Sequence, residues 1–169
     1  MTPRIPATTN RHTRRLHALR LAAGGLACML TAAAVWAHGN MTPQAVDTST
    51  LPQLGAEWRT ENPYRQNAEA IRIGSAAYTQ NCARCHGLEA VSGGMAPDLR
   101  KLDNDCAALT DAKKKDACAQ EIDQYVLDTV RHGRARNGAV YMPPFEGVFS
   151  QEAIWAVKAY LETRREQTL

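Results

Sequence analysis

Residues 82–86 read CARCH. In a helical turn, positions three and four apart share a face, so both thiols and the imidazole address the same space. A fold built around this stretch has to present that face to a metal ion, to a disulfide or to a flat prosthetic group. The flanking sequence begins to separate these. A helical pattern enters the motif from Ala68, with Ile71, Gly74, Ser75 and Tyr78 at i, i+3, i+4 and i+7. Gly74 in mid-helix costs stability relative to alanine, which implies that another helix crosses close there. Residues 87–104 carry Gly87, Gly93, Gly94 and Pro97 and read as loop.

The N-terminus speaks to compartment. Residues 1–37 contain Arg4, Arg11, Arg14, Arg15 and Arg20, no acid, and then the apolar run LAAGGLACMLTAAAV. A basic start, a short apolar stretch and the small-residue end VWA describe a cleaved export signal with its cut after Ala37. The apolar run is too short and alanine-rich for a membrane span. Arg14-Arg15 lacks the hydrophobic pair of a twin-arginine signal, and Cys28 lacks the leucine expected before a lipoprotein cysteine. Removing the five arginines from 20 basic residues leaves 15 against 17 acids, a net charge of −2. The basic balance therefore belongs to the leader and gives no reason to expect nucleic acid. The mature part is read as an extended lead-in over 38–65, with Trp58 as its anchor, and one domain over 66–169. Its placement is periplasmic, with no membrane anchor.

Four cysteines remain, Cys82, Cys85, Cys106 and Cys118, and an oxidising compartment requires each to be bonded to something. C-x-x-C-H in an exported chain is the attachment signature of c-type haem. Zinc would need a second ligand pair at finger-like spacing, and Cys106 and Cys118 are too far apart for that. A thioredoxin-type pair would sit among alternating strands and helices, and no segment reads as a strand. The stretch 106–118, CAALTDAKKKDAC, reads as a polar excursion. Ile122, Tyr125, Val126, Thr129 and Val130 then mark a helix closed by Arg131, His132 and Gly133. A turn at Asn137-Gly138 leads to YMPPFEG. Ser150 caps a last helix, QEAIWAVKAYLET, with Ile154, Val157 and Leu161 on one face.

One histidine leaves the opposite side of an iron to be filled. Candidates are His38, Met41, Met95, His132 and Met142. Met95 lies ten residues past Cys85 and reads as core, and His132 as a solvated capping residue. Met142 stands before Pro143-Pro144, which stiffen the backbone and hold the thioether out. Arg131, Arg134 and Arg136, just upstream, are either a steering rim for an acidic partner or a solvated basic loop.

Over residues 66–165 the chain resembles class I cytochrome c, on CARCH, the Gly-rich loop ending in APDL, MPPF, and a final helix with IWAVKAYL. The lead-in HGNMTPQAVDT and WRTENPYR is similar to the c-550 cytochromes associated with PQQ-dependent alcohol dehydrogenases. The resemblance implies an all-α cytochrome c fold, helices and long loops around one covalently bound haem c. By position it implies thioether links at Cys82 and Cys85, His86 as proximal ligand and Met142 as distal ligand. It further implies a hydrogen bond from His86 Nδ1–H to the Pro97 carbonyl, Leu99 packed on the ring, and Gly74 and Tyr78 meeting the final helix near Trp155 and Tyr160. The 106–118 insertion departs from the simplest pattern, and Cys106 with Cys118 most simply form a disulfide, against free thiols or a metal.

An iron held on both sides gains and loses one electron with little movement. The expected role is a monomeric electron carrier, not an enzyme. It would accept electrons from a quinoprotein alcohol dehydrogenase and pass them to a downstream cytochrome oxidase. The alternatives are a haem subunit of a stable oxidoreductase complex and a peroxidase-like catalyst with a displaceable Met142.

Overall fold

The computed structural model describes residues 42–165. The export-signal reading of 1–37, and the candidate ligands His38 and Met41, lie outside the described residues. Helix α1 (Ala68–Asn81) starts at Asn67, whose side-chain oxygen accepts the Ala70 N–H at 3.0 Å, with Glu69 in the first turn. Its buried face is Ala70, Ile73, Gly74, Ala77, Tyr78 and Asn81. Gly74 and Tyr78 are inside as expected, but Ile71 and Ser75 are only half-buried. The packed stripe runs through alanines, whose low hydrophobic contrast hides them from a periodicity reading.

Most of that face meets the last helix (Gln151–Thr163), begun by Ser150, whose hydroxyl accepts the Ala153 N–H at 3.3 Å. Every residue from Gln151 to Leu161 is buried, so this helix is enclosed on all sides, beyond the single face expected. A Cβ at Gly74 would collide with the Ala156 carbonyl, and glycine allows the two backbones to approach. Tyr78 and Tyr160 pack with ring centroids 5.3 Å apart. Both expectations for this crossing are met.

Between these two helices lie two short ones, α2 (Ala83–His86) and α3 (Asn104–Ala107), and a long one, α4 (Ala112–His132); the last helix is α5. Helix α4 begins ten residues before Ile122, because Asp111 caps it through the Lys114 N–H at 2.9 Å. The supposed polar excursion is therefore half helix. Its inner positions are Asp123, Val126 and Leu127, while Tyr125 is exposed. A carboxylate in the core stripe broke the apolar pattern. Asp123 is fully buried, accepts the Asn62 N–H at 2.8 Å, and pairs with Arg65 and with Lys158 at 3.3 Å.

Gly133, at φ 68°, ends α4 and donates its N–H to the Thr129 carbonyl at 2.9 Å. A two-stranded antiparallel hairpin follows, β1 (Arg134–Arg136) and β2 (Ala139–Met142). Asn137 and Gly138 both take positive φ, 52° and 79°, as a two-residue hairpin turn requires. The expectation of no strand is corrected here, although the fold remains mostly helical.

Residues 42–66 form no helix or strand, yet they are tied to α5 by main-chain hydrogen bonds. Leu54 N–H donates to Glu152 Oε1 at 2.9 Å and Arg59 N–H to Gln151 Oε1 at 3.2 Å. The Gln151 amide donates to the Gly55 and Glu57 carbonyls at 2.7 and 3.0 Å. Leu51 and Tyr64 are the buried apolar anchors. Trp58 is half-exposed and lies under the Arg131 guanidinium, 4.1 Å from the ring centre.

Candidate functional site

The motif forms one helical turn directly after α1. The Cys85 and His86 N–H groups both donate to the Cys82 carbonyl, at 3.1 and 2.9 Å. Gly87, at φ 82°, then turns the chain away where a Cβ would strike the Val91 carbonyl. Its own carbonyl accepts the Tyr78 hydroxyl at 2.8 Å, which fixes the motif's exit to α1.

His86 Nδ1 lies 2.9 Å from the Pro97 carbonyl. A carbonyl only accepts, so Nδ1 carries the proton and Nε2 is left with its lone pair. Pro97 is held in turn by its neighbour: Asp98 caps the short turn Leu99–Lys101 through the Arg100 N–H at 3.1 Å. The Arg100 side chain, also bonded to Asp98, brings that carboxyl down to about 2. A depressed carboxylate contributes stability that is complete above its ordinary pKa of about 4 and is lost as pH falls through the folded value. Asp98→Asn should therefore lower stability at neutral pH and flatten the acid limb of the unfolding curve between those two pH values, the two proteins converging at the acid end.

Cys82 and Cys85 are not joined to each other. Burial, with the adjacent Cys85 sulfur adding to it, pushes the Cys82 thiol up to about 12. No group of three or more metal-binding side chains is found among the described residues. The loop that follows exposes Leu88, Val91 and Met95, which corrects the reading of Met95 as core. Two unbonded thiols, an imidazole of fixed tautomer and exposed apolar side chains suit a flat apolar group attached through sulfur. The residues present fit a haem.

Met142 closes β2, half-buried. The backbone around it is tied on both sides. Phe145 N–H donates to the Val130 carbonyl at 3.0 Å and Glu146 N–H to the Arg131 carbonyl at 3.1 Å. Gly133 is packed so closely under the Met142 carbonyl and Pro143–Pro144 that no Cβ fits there. Thus one turn brings together Cys82, Cys85 and His86, and His86 reaches Pro97. Leu99 and Met142 come from separate segments and pack, like Cys82, against the same core. His132 is hydrogen-bonded to Asp128 at 2.9 Å. Of the three arginines, Arg131 pairs with Glu146 and Arg134 with Asp128 at 3.2 Å, while Arg136 makes no ion pair among the described residues.

Cys106 and Cys118 form a disulfide that joins α3 to the second turn of α4, Cα atoms 5.5 Å apart. Replacing both by serine should lower the unfolding free energy by about 3 kcal/mol on the chain-entropy account, read by guanidinium denaturation with the visible spectrum unchanged.

This fold and this site define a protein that binds haem c covalently and exchanges electrons. The chain belongs to the cytochrome c family: residues 69–161 match the family described as cytochrome c oxidase, cbb3-type, subunit III. It is 49% identical to cytochrome c550 of Pseudomonas aeruginosa (strain PAO1) over 131 residues, 75% of this chain and 81% of that protein. It is 34% identical over 95 residues, 56% of this chain, to the quinohemoprotein alcohol dehydrogenase ADH-IIG of Pseudomonas putida, of which the match spans only 11%. It is 32% identical over 119 residues to the cbb3-type oxidase subunit FixP of Rhizobium meliloti, 70% of this chain and 38% of that one. No solved structure matches. With a single C-x-x-C-H in the sequence, the protein is a monohaem electron carrier and not an enzyme.

Proposed function

We propose that this cytochrome is a periplasmic shuttle that takes single electrons from a quinoprotein alcohol dehydrogenase and delivers them to a terminal oxidase. Cys82 and Cys85 carry the thioether links, His86 is the proximal ligand and Met142 the distal one. When bound, the haem supplies reversible one-electron exchange at iron. Through its hydrogen bond to Pro97, His86 would present Nε2 to the iron, and Leu99 would pack near the ring. Met142, on a backbone tied to the end of α4, would supply the other ligand and keep small oxidants out. A donor quinol holding two electrons discharges them one at a time, to two carriers or to one carrier twice.

The observation that carries this reading is the His86 ring fixed to Pro97 on a turn with two unbonded cysteines. Likeness to the cytochrome portion of a quinohemoprotein alcohol dehydrogenase supports the donor. None of the described helices is long and apolar enough to cross a membrane. Stopped-flow mixing of the oxidised protein with dehydrogenase and alcohol tests it. Haem reduction no faster than without alcohol would exclude that donor. The FixP likeness favours a second reading, a haem subunit held in an oxidase complex, which co-purification through high salt would establish.

Two of the three arginines near Met142 are already neutralised, so basic steering from that segment is weak. The bimolecular reduction rate should therefore change less than about tenfold across the salt range that screens a steered pair by orders of magnitude. A steeper dependence would restore the steering rim.

A further inference from the structure

A second built feature involves neither the haem motif nor Met142. A cavity of about 90 Å³ lies where four segments meet, walled by Arg65, Lys115, Lys158 and Arg165 with Asp103 and Cys106. Lys158 is 3% exposed, an ammonium held almost wholly inside the protein. Three carboxylates partner these four cations: Asp123 and Glu162 take Arg65 and Lys158, and Asp103 takes Arg165. Lys115 makes no ion pair among the described residues and supplies the unbalanced charge.

Donors are also in surplus. Arg65 and Arg165 each commit two N–H groups to these carboxylates, fewer than a guanidinium carries. The Lys158 ammonium hydrogen-bonds Glu162 at 2.6 Å and has further hydrogens. The first turn of α4 brings Lys113, Lys114 and Lys115 to this end of the helix, where the Asp111 carboxylate caps the N-terminus through the Lys114 N–H. An anion in this cavity would offset the Lys115 ammonium, which no carboxylate pairs among the described residues.

We infer that the cavity bounded by Arg65, Lys115, Lys158 and Arg165 binds one small tetrahedral oxyanion of the sulfate or phosphate type. Its size admits a free ion, and its walls offer donors from the lead-in, α4 and the end of α5. Binding there fastens those three segments beside the Cys106–Cys118 bridge. The inference does not depend on the identity of the electron donor.

The test is thermal unfolding of the haem-loaded protein in sulfate, and separately in phosphate, against chloride at equal ionic strength. Sulfate also stabilises proteins generally by exclusion from their surface, an effect that does not saturate at a stoichiometric site. A saturating rise in Tm is expected in the wild type and in Lys113→Gln, with apparent affinity reduced about tenfold or more in Lys115→Gln, one charge-assisted contact being removed. Titration calorimetry with sulfate should give one site with the same loss. An equal response in all three proteins, a rise without saturation, or no heat above dilution would overturn the site.

Discussion

Gly74→Ala is expected to destabilise the protein, by more than about 3 kcal/mol, although helix propensity alone predicts a gain of about 1 kcal/mol. The two signs come from different physics. In an exposed helix, alanine restrains the unfolded chain and buries no polar group, so it improves on glycine. Here the new methyl would occupy the space of the Ala156 carbonyl, and that atom is backbone of an enclosed helix. Relief requires α1 and α5 to separate, which opens contacts made by Ile73, Ala77 and Tyr78 on one side and Trp155, Val157 and Tyr160 on the other. A domain of this size has only about 5–15 kcal/mol in total, so Gly74→Val, with two further carbons at the same point, should leave little folded holoprotein. Guanidinium denaturation of Gly74→Ala beside Ala76→Gly separates the effects, since Ala76 is exposed on the same helix and should lose only its propensity. If Gly74→Ala were as stable as wild type or better, the close crossing would be wrong.

That crossing was legible in the sequence because glycine in mid-helix is costly and has to be explained. The caps were legible too: Ser150 and Gly133 act through their own side chain or backbone freedom, within one turn. What was lost has a common cause in distance or in missing contrast. The start of α4 was hidden because KKKDA is exposed all round, and a helix turn with no buried face has no hydrophobic period. The hairpin strands RAR and AVYM were missed for the same reason, being exposed along nearly their whole length, even though Asn137-Gly138 signalled a turn. Asp123 drew no notice in the sequence, since its burial depends on Arg65 and Lys158, remote in sequence, converging on it. The lead-in gave no sign that Gln151 and Glu152 would bind its main chain. At the site, the local part was explicit in CARCH. The partnership of His86 with Pro97 came from the likeness to a family, and the structure sets those atoms 2.9 Å apart. Met142 was reached by its prolines, which restrict the backbone whatever the rest of the chain does.

Met142→Ala is expected to change the chemistry of the protein more than its fold. The side chain is only half-buried, so its truncation should cost less than the 2–5 kcal/mol or so of a core methionine. The strand end is held by main-chain bonds from Phe145 and Glu146 that do not involve the thioether. If Met142 is the distal ligand, as proposed, losing its sulfur would remove the group that favours the reduced state and open that side of the iron. The midpoint potential should fall by on the order of 100 mV or more, and the weak sulfur-to-iron absorption of the oxidised protein should vanish. The ferric variant should also take up cyanide readily, where the wild type resists it. Met95→Ala is the matched control, because Met95 is the other described methionine of the site region and stands exposed on the loop after His86. If the sulfur band survived in Met142→Ala and disappeared in Met95→Ala, the distal assignment would pass to Met95. If wild type itself bound cyanide as fast as the Met142 variant, the position would be open in the native protein and the site would suit a catalyst of the peroxidase kind rather than a carrier.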